Sequence, residues 1–228
     1  MIEGTVKISR APVKGLIFLW LLACFLFVVS LGDLPLRDFD EATVARVAFE
    51  FLDKTGLDYL LPTIWGQPYF NKPPGLHWLI SIAMKLDLNL WFGRLPSEFS
   101  IRILPAFLST FVVPLGGLIQ WKLRPEDRLS SLATSGILLT LLPISRHGRL
   151  AMLDGSQLSA IALLWFLLIS LDNTKFDIYR YFFSGLVCSF MLLLKAPLII
   201  PAIFATLPSL IWEKRIRIKA YFTTWIWF

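Results

Sequence analysis

The sequence predicts an all-α fold, a polytopic bundle of six or seven transmembrane helices with a long outer loop carrying juxtamembrane amphipathic helices. Three observations predict it. The 228 residues are 56% hydrophobic and 17% charged, with a mean hydropathy of +0.67, outside the range of soluble domains. Uncharged windows recur near 15–32, 103–121, 129–145, 155–171, 181–194 and 196–212, close to the roughly 17–25 residues that a spanning helix requires. Basic residues cluster in the short segments between alternate windows, the asymmetry that orients membrane helices.

The first window follows Lys7, Arg10 and Lys14 and has no small-residue cleavage pattern after it, so it reads as a retained signal anchor. The stretch 74–90 is apolar but contains His77, Lys85 and Asp87, and His77, Ser81, Lys85 and Asn89 recur every four residues as a polar stripe. If this stretch lies along the interface, the cytoplasmic segments are the N-terminus, KLRPEDR, DNTKFDIYR and WEKRIRIK. These hold 12 Lys/Arg against 6 Asp/Glu, so the whole net charge of +6 falls on one face. If 74–90 crossed, WEKRIRIK would face outward, against the positive-inside rule. An interfacial helix is therefore expected, inside an outer loop over 33–102, with a second outer loop over 146–155. The last nine residues, AYFTTWIWF, read as the start of a further span.

Cys24 and Cys188 fall inside apolar runs, far apart in sequence, and read as small apolar fillers. No glycine-rich nucleotide motif, zinc spacing or nucleophile elbow occurs. The positive charge is a topology signal and does not point to nucleic acid.

The outer segments hold the candidate chemistry. In LRDFDEATVARVAFEFLDKTG, residues 36–56, Asp38, Asp40 and Glu41 open an amphipathic helix in which Val44, Val47, Ala48 and Phe51 make one apolar face. At about 100° per residue Asp40 lies in line with Val44, Val47 and Phe51 and is expected to face the membrane side. Two readings stand: an N-cap carboxylate, or a general base or metal ligand beside a lipid-borne substrate. Lys72, before Pro73 and Pro74, is expected at a helix N-terminus that favours a phosphate; a snorkelling lysine fits equally. Arg146, Arg149 and Asp154 read either as a solvated loop or as parts of a site for an acidic lipid headgroup. Lys195, a lone charge between two apolar runs, reads as a helix-end snorkel or a phosphate contact.

In order along the chain, Asp40-Glu41, YFNKPPGLHW, SIRILPAF, RLAMLDG and LLLKAP resemble the motifs of GT-C membrane glycosyltransferases, in particular the aminoarabinose transferase-like and protein O-mannosyltransferase group. The resemblance implies that residues 1–228 are the N-terminal part of such a domain, since family chains are longer. It implies an enzyme of the cell (inner) membrane, its active site on the extracytoplasmic side. The donor would be a polyprenyl-phosphate sugar and the acceptor a lipid, glycan or protein. Asp40, Glu41 and Asp154 would be catalytic, and Lys72, Arg146, Arg149 and Lys195 would bind the donor phosphate. No cofactor is implied with certainty; a divalent metal remains open and its ligands are unknown. Val44 stands where family members often have Tyr, Asn71 where they often have Glu, and KAP replaces K-G-P. The alternative from another class is a non-enzymatic polytopic protein: a truncated remnant, or a lipid-binding or flippase-like subunit.

Overall fold

The computed structural model describes residues 10–91, 95–171 and 177–206. Lys7, the basic stretch 212–219 and the aromatic stretch 220–228 lie outside the described residues, as does the part of the window 196–212 after residue 206. Apart from one short hairpin, the regular secondary structure of the described residues is helical. In order come α1 (Val13–Val28), α2 (Asp40–Glu50), β1 (Thr63–Ile64), β2 (Gln67–Pro68), α3 (Gly75–Trp91), α4 (Glu98–Thr110), α5 (Val112–Leu123), α6 (Arg128–Thr140), α7 (Leu142–Gly148), α8 (Leu153–Ile169), α9 (Asp177–Lys195) and α10 (Ile199–Phe204).

Two helical stretches, Glu98–Leu123 (26 residues) and Asp177–Phe204 (28 residues), are long and apolar enough to cross a membrane. α1 and α8 are shorter apolar helices, and α6 with α7 forms an apolar pair bent by 57°. The bend departs from the straight span expected over 129–145. Its cause is Pro143, which has no N–H to give and whose ring would clash with the carbonyl four residues back. The chain breaks at Leu141, and Pro143 takes the first turn of α7, where proline is tolerated.

The stretch Asp177–Phe204 is interrupted at Lys195, whose φ of −158° and ψ of 84° are not helical. Asp154 pairs with Lys195, yet Trp165, eleven residues along α8 and about 16 Å below, donates to the carbonyl of Ala202 at 2.7 Å. Ile199, Ala202 and Ile203 pack with Leu164, Leu168, Cys188 and Met191. The chain thus doubles back after Lys195 and runs down beside α8 and α9.

α5 and α6 pack closely because their contact is built from small and hydroxylated residues. Ser131 and Ser135 donate to the carbonyls of Gly117 and Val113 at 2.7 and 2.9 Å, the polar contact that holds helices together where no hydrophobic gain separates protein from lipid.

α2 and α3 form a layer over one end of this bundle. Val44, Ala45 and Ala48 of α2 and Leu76, Ile80 and Met84 of α3 share a core with Ile101, Ala151, Leu153 and Leu194. Those last four lie at or next to helix ends, so α3 crosses the ends and does not run down the flank of α8 or α9. The described part of the polar stripe expected on α3 is not uniformly solvent-facing. Lys85 is exposed, but His77 and Ser81 are buried beneath the segment 56–69. There Tyr59 bonds the Ser81 hydroxyl at 3.0 Å, and its carbonyl accepts from the Trp78 indole at 2.9 Å.

Candidate active site

The site begins at the first turn of α2. Phe39 precedes the helix with a φ of 64°, and no side chain caps it, so neither Asp38 nor Asp40 is the N-cap. Asp40 and Glu41 are consecutive but meet opposite surroundings. Asp40 is exposed, although Val44, Val47 and Phe51 on the same line are buried. The expected phase holds along the helix, but that face packs against protein, and Asp40 lies a turn ahead of the stretch that α3 covers.

Glu41 is fully buried. Its Oε1 accepts from Arg102 Nε at 2.9 Å and the Ala151 amide at 2.8 Å; its Oε2 accepts from Arg102 Nη2 at 2.8 Å and the Arg37 amide at 3.0 Å. Arg102 also gives Nη1 to the carbonyls of Leu31 and Leu34, at 3.0 and 2.7 Å, and Nη2 to that of Pro35 at 2.9 Å. All five guanidinium N–H groups are used. Burial works against the charge on Glu41, but the Arg102 hydrogen bond, the Ala151 and Arg37 amides and the guanidinium charge together hold its carboxyl below the usual range. Enclosed in this way, both oxygens of Glu41, expected from the sequence to be catalytic, are engaged by the protein's own donors. It ties α2, α4, the chain after α1 and the turn before α8 into one knot.

Arg102 was not among the expected site residues. Its signal was a single arginine inside the otherwise uncharged run of SIRILPAF, since such a charge next to a membrane requires a partner.

Beyond the knot the charged candidates fall into two groups. The first lines a cavity of about 980 Å³ between the end of α1, residues 31–38 and α7, where Arg37, Arg146 and Arg149 face inward together with Asp38. The expected outer loop 146–155 is largely helix here: Arg146 belongs to the last turn of α7 and Asp154 to the first turn of α8, with residues 149–152 forming the corner. Arg149 also donates to the Val29 carbonyl at the end of α1.

The second group lies where α3 meets α9. Lys195 Nζ and Asp154 Oδ1 form an exposed ion pair at 3.0 Å. Gly75, the first residue of α3, is so close to Leu193 that an added Cβ would stand 2.7 Å from its Cβ and carbonyl oxygen, which brings the start of α3 to the level of Lys195. Lys72 is half-buried in the chain just before it, three residues short of the helix and not at its N-terminus as expected. His77, one turn into α3, donates from Nδ1 to the Pro73 carbonyl at 3.2 Å, and its ring meets Tyr69 edge-on. Burial, opposed by that contact and aided by the charge of Lys72, pushes its pKa down to about 4. Among the described residues no three His, Cys, Asp or Glu side chains gather in a metal-binding cluster.

A helical membrane bundle whose acids and cations gather at one end under two amphipathic helices defines a class, and comparison with known proteins shows what it is similar to. The chain is similar to the crystal structure of ArnT from Cupriavidus metallidurans bound to undecaprenyl phosphate, with a TM-score of 0.69 and 16% identity, covering 94% of this chain and 40% of that one. The described chain therefore shares the fold of the corresponding part of that structure. In sequence the similarity is to undecaprenyl phosphate-alpha-4-amino-4-deoxy-L-arabinose arabinosyl transferases. That of Shewanella sediminis is 28% identical over 218 residues, covering 92% of this chain and 36% of the relative. That of Yersinia enterocolitica is 27% identical over 210 residues, covering 90% and 36%. The similarity to these transferases runs along nearly the whole chain, which spans about a third of the length of the curated relatives it matches. No protein-family model matches it.

Proposed function

We propose that the chain is the N-terminal part of a glycosyltransferase that moves a sugar from a polyprenyl phosphate to a lipid, glycan or protein acceptor at the outer face of the cell (inner) membrane. The observation that carries the reading is the buried Glu41–Arg102 knot, which sets Asp40 exposed at the end of the bundle where Lys72, Asp154 and Lys195 also gather. Asp40 is the base. It takes the proton of the acceptor hydroxyl as the acceptor oxygen bonds to the anomeric carbon and the bond from that carbon to the donor phosphate breaks. Lys72 meets the negative charge that grows on the leaving phosphate. Asp154 holds Lys195 beside that path. Glu41 is a positioning residue that acts through the first turn of α2.

The distribution of charge supports the orientation. At the opposite end of the bundle, Arg10 and Lys14 lie with Arg128 around the start of α1 and α6, and Lys122 and Arg124 close α5. Such a basic end suits the cytoplasm, which supports the reading that Asp40 and Lys72 lie outside.

The test is transfer of radiolabelled sugar from a polyprenyl phosphate by membranes that contain the full-length protein. Asp40→Asn is expected to lower transfer at least a hundredfold, within the contribution of a positioned base. Equal transfer by Asp40→Asn and the unaltered protein removes Asp40 from that role, and no transfer by the unaltered protein across several donors favours the non-enzymatic alternative.

A further inference from the structure

We propose that the cavity where α1 and α6 begin, at the far end of the bundle from Asp40, holds the headgroup of an anionic phospholipid from the leaflet on that side. Three cations line it: Arg10 from the chain before α1, Lys14 from the first turn of α1, and Arg128, the first residue of α6. No acid lines it, and among the described residues none of the three forms an ion pair with a carboxylate. Asp127, next to Arg128 in sequence, is turned to its own helix, where it caps α6 by accepting from the Ser130 amide at 2.8 Å. Three like charges brought to one concave space repel one another until an anion sits between them, and a phosphate offers several acceptor oxygens to two guanidinium groups and an ammonium. The first turn of α1 has no side-chain cap, so its open amides and the positive end of the helix add to the same field.

The size and the walls specify the rest of the ligand. A volume of about 570 Å³ is within the range of small-molecule pockets and leaves room for more than a bare phosphate. Its floor is closed, because a Cβ added at Gly15 would stand 2.7 Å from Leu132 Cδ2, so α1 and α6 touch just inside it. Its remaining lining includes the apolar Val13 and Leu129, which are 50% and 77% exposed. Beyond them α1 turns Ile17, Phe18 and Leu21 outward, as a helix surface in contact with lipid does. A headgroup on the three cations therefore leaves its acyl chains to run over Val13 and along α1. The charge of the lining selects among lipids. A choline or ethanolamine headgroup would bring its own ammonium against three cations with no acid to receive it, whereas a headgroup of net negative charge meets only opposite charge, as in other basic pockets between helix ends at a membrane surface. The 16 residues of α1, about 24 Å of helix, separate this cavity from the end where Asp40 and Lys72 lie, so its occupant is neither donor nor acceptor of a sugar. It ties the chain before α1 to the start of α6.

The test reads the site directly. Full-length protein is placed in phosphatidylcholine nanodiscs containing a phosphatidylglycerol, or in a parallel sample a phosphatidylcholine, that carries a photoactivatable group near the top of one acyl chain, and the cross-linked peptides are mapped by mass spectrometry. Phosphatidylglycerol is expected to label the peptides that hold residues 10–18 and 128–132 well above phosphatidylcholine. Lys14→Gln with Arg128→Gln is expected to weaken that labelling about thirtyfold, the worth of two basic residues at an anionic surface. Leu129→Glu, at an exposed position, adds an acid at the mouth and keeps every cation; it too is expected to weaken labelling, so the loss does not hinge on how the double variant folds. Lys85→Gln, an exposed cation at the other end of the bundle, is expected to change nothing. Equal labelling of these peptides by the two lipids overturns the proposal, as does phosphatidylglycerol labelling unaltered in both the double variant and Leu129→Glu. Labelling is measured without any sugar transfer, so loss of the glycosyltransferase reading would leave this result standing.

Discussion

Glu41 and Arg102 bury opposite charges with every donor and acceptor in use, and removing either partner strands the other. Arg102→Ala is expected to cost about 3–5 kcal/mol, the usual price of breaking a buried pair from one side, and to lower the midpoint of thermal unfolding by circular dichroism. Arg102→Lys should restore only a small part, because a lysine cannot reach Glu41 and three separate carbonyls from one planar fork. A carboxyl held below its ordinary value stabilises the fold fully above about pH 4.3, the unfolded Glu value, and that contribution is lost as pH falls through the lower folded value. His77 acts in a different window. Its folded pKa near 4 is below the ordinary 6.5, so the unfolded chain binds the extra proton. Its stabilisation is complete above about pH 6.5 and is withdrawn between there and pH 4, by about 3 kcal/mol. His77→Gln should flatten stability between pH 6.5 and 4 and leave the steeper loss below pH 4 in place; a curve unchanged above pH 4 would sink this account.

At the scale of elements, Glu50 closes α2 onto the hairpin. It accepts from the Thr63 hydroxyl at 2.7 Å and the Trp65 and Gly66 amides at 2.6 and 3.4 Å, while Arg46 bonds it at 3.0 Å and lies over the Trp65 ring at 4.1 Å. Trp65 and Gly66 both have positive φ, 53° and 73°, the pattern of a two-residue turn whose twist suits a hairpin. Glu50→Ala should loosen the turn by about 1–2 kcal/mol, seen as faster amide exchange at 65–66 with little change in α8. This hairpin was not legible in the sequence, since tryptophan is a poor signal for positive φ and the stabilising acid lies fifteen residues away. The same limit hid the burial of His77 and Ser81, which depends on a loop folding back over α3. What was legible was periodic. The apolar face of α2 and the apolar character of the spans follow from spacing and composition, whereas the bend at Leu141 followed from one proline in a window that composition alone ran straight through. At the site, Asp40, Lys72 and Asp154 were visible as charges out of place, but the sequence could not tell that Glu41 would be sealed by a residue sixty-one positions away. Gly75→Ala tests the contact that sets Lys72. Its Cβ would meet the Leu193 backbone, so α3 must shift from α9 at a cost of about 1–3 kcal/mol.

At the scale of the whole molecule, the charge asymmetry and the lie of α3 make one claim that labelling can decide. The ends of α1, α4, α7, α8 and α9 meet through Arg102, Arg149 and Lys195, and basic residues gather at the other end. If α3 rests across the first set of ends, positions before it and along it share one side of the membrane. Cysteines at Asp53 and Lys85 should then both react with a membrane-impermeant maleimide in intact cells, and a cysteine at Arg124 only after permeabilisation. Cys188 is buried and Cys24 half-buried in apolar helices, so the native background should be low. Labelling of the Asp53 position without the Lys85 position would mean that α3 crosses the membrane. Every later segment would then change sides, Asp154 would be separated from Asp40, and the proposed site would come apart with them.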